Sequence, residues 1–377
     1  MNAFRTVRTL ILLLHLACLQ GPAYGAARFS LAAVGDALIH KGVYSAAVIK
    51  GGGYDFRPML RLVKSRISPH DVAFYNQETI LGGTKLGLST YPRFNSPREV
   101  GDAFLDGGFN LVSLANNHTL DRGEKGVLAS LEYWKDKKGV VTAGSSLTAE
   151  KEKEIRFFRV NGISCAFLAY TTATNGLKAP EGKGHYVSLY TPEKARNDVA
   201  RAQKKADVVI VSMHWGSEYV FAPTAEQKKI AEHLASLGVS IVLGHHPHVV
   251  QPVAMVKSTL VVYSLGNFLS SQKELHKLVG LLVSLDVVKT EMRGETRISF
   301  ENVTGTLLYN PRRSPLGRYV VVPFDMLRED ILKNFSAVYK KYAAIVTGGG
   351  RVVSLRAPAS PPPAKPRSSG KKGRTSK

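Results

Sequence analysis

What most constrains this chain is a repeated alternation. Apolar runs of strand length alternate with stretches of helical spacing, and the runs stop at polar residues. Residues 29–36 (FSLAAVGD) are apolar up to Gly35-Asp36, and 56–67 carry apolar residues at helical spacing. Residues 71–78 (DVAFYNQE) form a second run with a polar end. Residues 96–108 then read as a helix, with Ser96 as N-cap, Pro97 at its first position and glycine closing it. The third run, 109–118 (FNLVSLANNH), sets Asn116, Asn117 and His118 side by side before a helical stretch at 122–139. Residues 155–162 and 163–171 read as a hairpin turning at Asn161-Gly162. A helix capped by Thr191 and Pro192, a run at 207–216, a helix at 224–238 and runs at 239–248 and 259–268 complete the series. The alternation predicts an α/β protein with helices outside its sheet. The hairpin, and a stretch beyond Leu278 read as strands without intervening helices, predict mixed sheets.

The 377 residues, 44% of them hydrophobic, are ample for a large core. Arg5 and Arg8 precede the apolar LILLLHLACL, and small residues follow at 23 and 25, so residues 1–25 read as a signal peptide cut before Ala26. Export is therefore expected: periplasmic, extracellular, or held at the membrane by an uncleaved segment. Cys165 then remains as the one cysteine, expected buried and inert. The formal charge is +22, and residues 357–377 are Pro/Ser-rich with Lys and Arg but no acid, which predicts a disordered basic tail. That balance suits an anionic envelope polymer or lipid headgroup. Export and the lack of a nucleic-acid-binding motif argue against nucleic acid.

In open α/β sheets ligands sit at the carboxyl ends of strands. Here those ends deliver Asp36 with His40 close behind; Asn76 and Glu78; Asn116, Asn117 and His118, then Asp121; His214, Trp215 and Glu218; His245, His246 and His248; and Ser264 and Asn267. Burying so many ionisable groups unpaired is costly. Mixed oxygen and imidazole donors suit Zn, Mn or Fe rather than Ca. Two metals sharing a carboxylate would use about this many ligands, and would activate water and clamp a transition state. On this reading Asn117 holds a metal and His118 faces the reacting atoms. His40 serves a supporting or loop role, Asn76 orients Glu78, and Asn116 caps a turn. Trp215, Glu218 and Tyr219 line a substrate pocket, and Asn267 bonds a ligand histidine. Asp121 and Glu124 read as helix-start acids favoured by the dipole. His70, His185, His233 and His276 read as structural or surface residues.

The blocks VGD, NQE, YPRFNSP, GFNLVSLANNHTLDRGEKGV, HWGSEY, GHHPHVVQPV and YSLGNF occur in an order and spacing that resembles the CapA family of poly-γ-glutamate capsule biosynthesis proteins, over residues 29–269. The resemblance implies a calcineurin-like metallophosphoesterase-type sandwich of mixed sheets flanked by helices, over 27–275, with a β-rich C-terminal extension at 276–345. It implies one or two divalent metals (Mn, Zn or Fe). Asp36 would bind the first, Glu78 would bridge, Asn117 and His214 would bind the second, and His246 and His248 would take one each. His118 would be the acid beside the leaving atom, and His245 a supernumerary histidine. Leu38 stands where phosphoesterases carry a histidine. The function implied is synthesis, processing or hydrolysis of poly-γ-glutamate or a related anionic envelope polymer, in company with capsule machinery. The alternatives are a non-catalytic polymer-binding or transport component, and a periplasmic phosphoesterase.

Overall fold

The computed structural model describes residues 26–292 and 295–358. The expected signal peptide and nearly all of the expected tail lie outside the described residues. Two mixed sheets face each other. The first has nine strands: β1 (Ala27–Leu38), β2 (Val72–Asn76), β3 (Leu111–Ser113), β4 (Val141–Ala143), and five more from the second half of the chain. The second sheet has six: β5 (Arg156–Val160), β6 (Ile163–Thr171), β7 (Val208–His214), β8 (Ile241–His245), β9 (Val253–Val256) and β10 (Thr259–Val262). The late strands of the first sheet are β11 (Asn267–Ser270), β12 (Val279–Met292), β13 (Glu295–Tyr309), β14 (Val322–Pro323) and β15 (Ser354–Leu355).

β1 to β4 run parallel, as do β6, β7, β8 and β10, while β5 and β9 are antiparallel edges. The parallel strands are covered on both faces, which is why their sequences read as continuous apolar runs. In β1, Leu31 and Ala33 pack into the core between the sheets, with Phe74, Phe167, Ile210 and Leu243. Ala32 and Val34 point the other way, under the helices Glu99–Asp106 and Gly123–Lys135. On the second sheet, the helices Pro192–Gln203 and Ala225–Ser236 cover Val209, Val211 and Val242. Each such apolar side chain taken from water contributes about 1.5–3 kcal/mol. Thr191 caps its helix as expected, and Thr224 caps the other. Ser96 does not: its hydroxyl donates to Thr79, and the helix begins at Glu99. Among the described residues no helix is long and apolar enough to cross a membrane.

The stretch beyond Leu278 departs from its expected form. β12 pairs with β1 along Ala27–Ala33 and so lies inside the first sheet. The stretch also contains the helix Phe335–Thr347, whose Tyr342 and Val346 are buried in the inter-sheet core. Of the 318–324 run (RYVVVPF) expected as a strand, only Val322–Pro323 pairs.

Candidate metal centre

β1 changes partners where its apolar run ends. It pairs with β12 as far as Ala33, then with β11 from Asp36, with an irregularity between. Gly35 permits this, because a Cβ there would overlap the Gly266 carbonyl. The Asp36 amide donates to that same carbonyl, which aims its side chain between the sheets. Asn76 ends β2, with Glu78 two residues on. Asn116, Asn117 and His118 follow β3, His214 ends β7, and His245 ends β8. His246 and His248 then take left-handed backbone, φ 101° and 57°. For non-glycine residues that is stored strain, a recurrent property of ligand-holding segments.

Every residue expected as a ligand comes to one place. Four groups form, each with one ligand atom per residue within 4.8 Å of the others: Asp36, Glu78 and His248; Glu78, His214 and His246; Asp36, His214 and His245; Glu218, His246 and His248. His248 bridges the carboxylates, with Nδ1 3.1 Å from Asp36 and Nε2 3.5 Å from Glu78. His214 Nε2 is 2.9 Å from Asn117 Oδ1 and 3.8 Å from Glu78. Apart from His246 and Glu218, these side chains are almost wholly buried.

The electrostatics fit a cation. Neither oxygen of Glu78 has a hydrogen-bond partner, and His246 Nδ1 is likewise buried and unpartnered. Burial, and then the neighbouring Asp36, push the Glu78 carboxyl well above the usual range. Burial works against ionisation of Asp36 too, but the hydrogen bond and charge of His248 hold it below its ordinary value. Burial drives His214 well down, and drives His245 and His246 down to about 4, so these imidazoles stay neutral. A buried carboxylate without a donor, facing neutral imidazoles, is a costly arrangement that a divalent cation would satisfy. These are buried His/Asp/Glu clusters able to bind metal.

The surrounding residues hold these groups in place. Asn76 donates to Asp36 at 2.8 Å, and so orients Asp36 rather than Glu78. Asn116 makes the expected turn: its Oδ1 accepts from the His118 amide, and its amide donates to the Gln77 carbonyl. His118 Nδ1 is 2.7 Å from Asp121 Oδ2, which also accepts from the Phe94 amide. Asp121 is therefore not a helix-start acid. It is buried, and the helix begins two residues later at Gly123. His40 stays outside the four groups, beside the Leu38 carbonyl and edge-on to Phe94.

One further expectation is revised. Trp215 is fully buried in the core of the second sheet rather than facing a pocket, and its Nε1 donates to the Tyr263 carbonyl. Asn267 reaches His248 through its backbone: its amide donates to the carbonyls of His248 and Lys277 and to Gln272. His245 sits 2.8 Å from His214 and bonds Ser212 at 2.6 Å. Glu218 and Tyr219 do form the rim, Tyr219 with its ring 6.1 Å from His248 and Lys277 over its face. Asn175 had drawn no notice in the sequence. Its Oδ1 accepts from Asn117 at 3.3 Å, and its only sequence signal is the Asn-Gly turn pair at 175–176.

Fold and site together define the class: a two-sheet α/β sandwich that gathers carboxylates, an amide and imidazoles where its strand ends meet. Within that class the chain belongs to the family described as Bacterial capsule synthesis protein PGA_cap, which matches residues 30–272. It is 36% identical over 175 residues to "PGA biosynthesis protein CapA" of Bacillus subtilis (strain 168), 44% of either chain. It is 33% identical over 183 residues to "Capsule biosynthesis protein CapA" of Bacillus anthracis, 47% of this chain and 44% of that one. The matches thus span less than half the length of these relatives. Among solved structures, a hypothetical protein from Thermus thermophilus aligns with a TM-score of 0.42 at 18% identity, covering 72% of this chain and 97% of that one.

Proposed function

We propose that this chain is an exported, metal-dependent member of its family that acts on poly-γ-glutamate or a related anionic envelope polymer, alongside capsule machinery. The observation that carries the metal reading is Glu78, a fully buried carboxylate with no hydrogen bond, facing His214 and His248. Asp36 and His248 would hold one divalent cation, and Asn117, His214 and His246 a second, with Glu78 shared. Oxygen and imidazole donors suit Mn, Zn or Fe. A cation there supplies Lewis-acid polarisation of an amide carbonyl or phosphoryl oxygen.

The chain's own part follows from its hydrogen bonds. Asp121 anchors His118 through Nδ1, which leaves Nε2 to carry a proton for the leaving atom. Asn116 fixes the backbone that presents the ring. Leu38, buried at the position where phosphoesterases carry a histidine, offers no ligand atom, and this favours amide over phosphoester chemistry. The same gap supports a second reading, a polymer-binding component that keeps its metal for structure.

Elemental analysis of purified protein, then turnover on poly-γ-glutamate and on a generic phosphodiester, tests the proposal. Metal-dependent cleavage of the polymer that disappears in His118→Ala is the expected result. Metal-replete protein inert on both substrates would leave the binding reading, and protein that takes up no metal would overturn both.

A further inference from the structure

Beside the His118–Asp121 pair the surface opens into a groove of about 760 Å³. One wall is the strap running from Gly87 to Arg93; the other carries Leu177 and Lys178, on the loop after β6. Asp121 and Arg122 lie between them. Three cations line the groove: Arg93, Arg122 and Lys178. Arg122 donates to the Leu86 and Gly87 carbonyls and the Ser89 hydroxyl, so it fixes the strap, and among the described residues no carboxylate pairs with it. Arg93 and Lys178 are exposed, and among the described residues no carboxylate pairs with either. The one acid lining the groove, Asp121, is buried and already engaged by His118 and the Phe94 amide. The loop that carries Lys178 also carries Asn175, which accepts from Asn117 in the centre.

We propose that this groove docks a run of carboxylates from an acidic polymer, with Arg93 and Lys178 as its grip and the 172–178 loop leading the chain toward Asn117 and His118. The inference deepens the polymer reading above and rests on it for the ligand class. A flexible polyanion needs an open channel with unpaired cations rather than a deep pocket. Its attraction to exposed cations falls as salt rises.

The test is binding of fluorescein-labelled poly-γ-glutamate to the full chain, followed by anisotropy at low salt. The double variant Arg93→Glu/Lys178→Glu is compared with Lys228→Glu/Lys229→Glu, which makes the same charge change on the exposed face of the helix Ala225–Ser236. Turning two attractive charges repulsive should weaken binding on the order of tenfold in the groove variant. The control should change by less than about twofold, since isolated surface charges contribute little. All four residues are exposed, so both variants should melt with the parent. Equal weakening in the two variants, or none in the groove variant, overturns the proposal. Metal content measured on the same samples reads the centre separately, so the metal proposal stands or falls on its own.

Discussion

Asp36, Glu78 and Asn117 come from the first sheet and present oxygen. His214, His245, His246 and His248 come from the second and present nitrogen. Three of the four groups draw on both sheets, and only Glu218, His246 and His248 come from the second alone, so most of the centre is assembled when the inter-sheet core closes. The halves also differ in what burial does to them. It leaves most of the imidazoles neutral, already in the state that binds metal, but leaves Glu78 a carboxyl without a donor. The oxygen side is thus the frustrated half, and the centre should depend on it most.

The sharpest way to break that comparison is to remove one group from each side. Glu78, like Asp36, belongs to two of the four groups, and in the proposed arrangement it is the carboxylate that both metals would use. Glu78→Ala should therefore lose both metal equivalents on dialysis, with affinity falling by more than the ~10–100-fold typical of a lost supporting partner. His246→Ala leaves Asp36, Glu78 and His248 together, so it should lose its own equivalent and retain part of the other. Equal metal in the two variants would show that the sheets contribute alike.

His118 belongs to the first sheet but presents nitrogen, and is the exception that tests the rule. His118→Ala should keep its metal while turnover falls about 10²–10⁴-fold, as for a lost acid–base group. Asp121→Asn should cause a smaller fall, because the imidazole remains and only its anchor weakens. Metal loss in His118→Ala would move this residue to the ligand set.

A metal bound as proposed ties the two sheets together, and Cys165 reports on that tie. It lies in β6 within the inter-sheet core, and burial pushes its thiol up to about 12. Alkylation therefore waits for the sheets to part. With metal at about 100 times its Kd, opening that breaks the centre should become ~100-fold rarer. Labelling at Cys165, read by peptide-resolved mass spectrometry, should slow by that factor. An unchanged rate would mean that the thiol is reached without separating the sheets.

The sandwich and the residues that meet between its sheets were legible because buried parallel strands leave long apolar runs, and these runs end at those residues. Asp36, Glu78, Asn117, His214, His246 and His248 could be named from those ends. What escaped notice depends on contacts between distant segments. Asp121 looks like any acid before a helix until its turn folds it back under His118. Asn175 is only a turn residue until β6 brings its loop over Asn117. Trp215 follows His214 directly, yet strand alternation turns it into the opposite face. The helix Phe335–Thr347 was missed because the strands before it set the apparent texture of the whole C-terminal stretch.

The smallest expected effect concerns His248, the one imidazole that does not share the neutral state of its sheet. Burial alone would lower its pKa. The charge of Glu78, with the hydrogen bond and charge of Asp36, instead raises it to about 9. In the metal-free protein His248 is therefore protonated at neutral pH, between the two carboxylates it touches. A ring raised above its ordinary value stabilises the fold fully below that value, and the contribution is lost as pH climbs through about 9. Metal needs the bare nitrogen, so binding below that point expels a proton. Metal affinity should then rise about tenfold per pH unit between roughly pH 7 and 9, and level off above. Glu78, held high by burial and Asp36, can only steepen the slope where it too carries a proton. Competition titrations with buffered zinc across that range would read it. If neither His248 nor Glu78 carried a proton there, affinity would be flat. A rising slope instead shows a proton released on binding from the pair they form between the sheets. Alkaline destabilisation of the metal-free protein, absent from the metal-bound form, should accompany it.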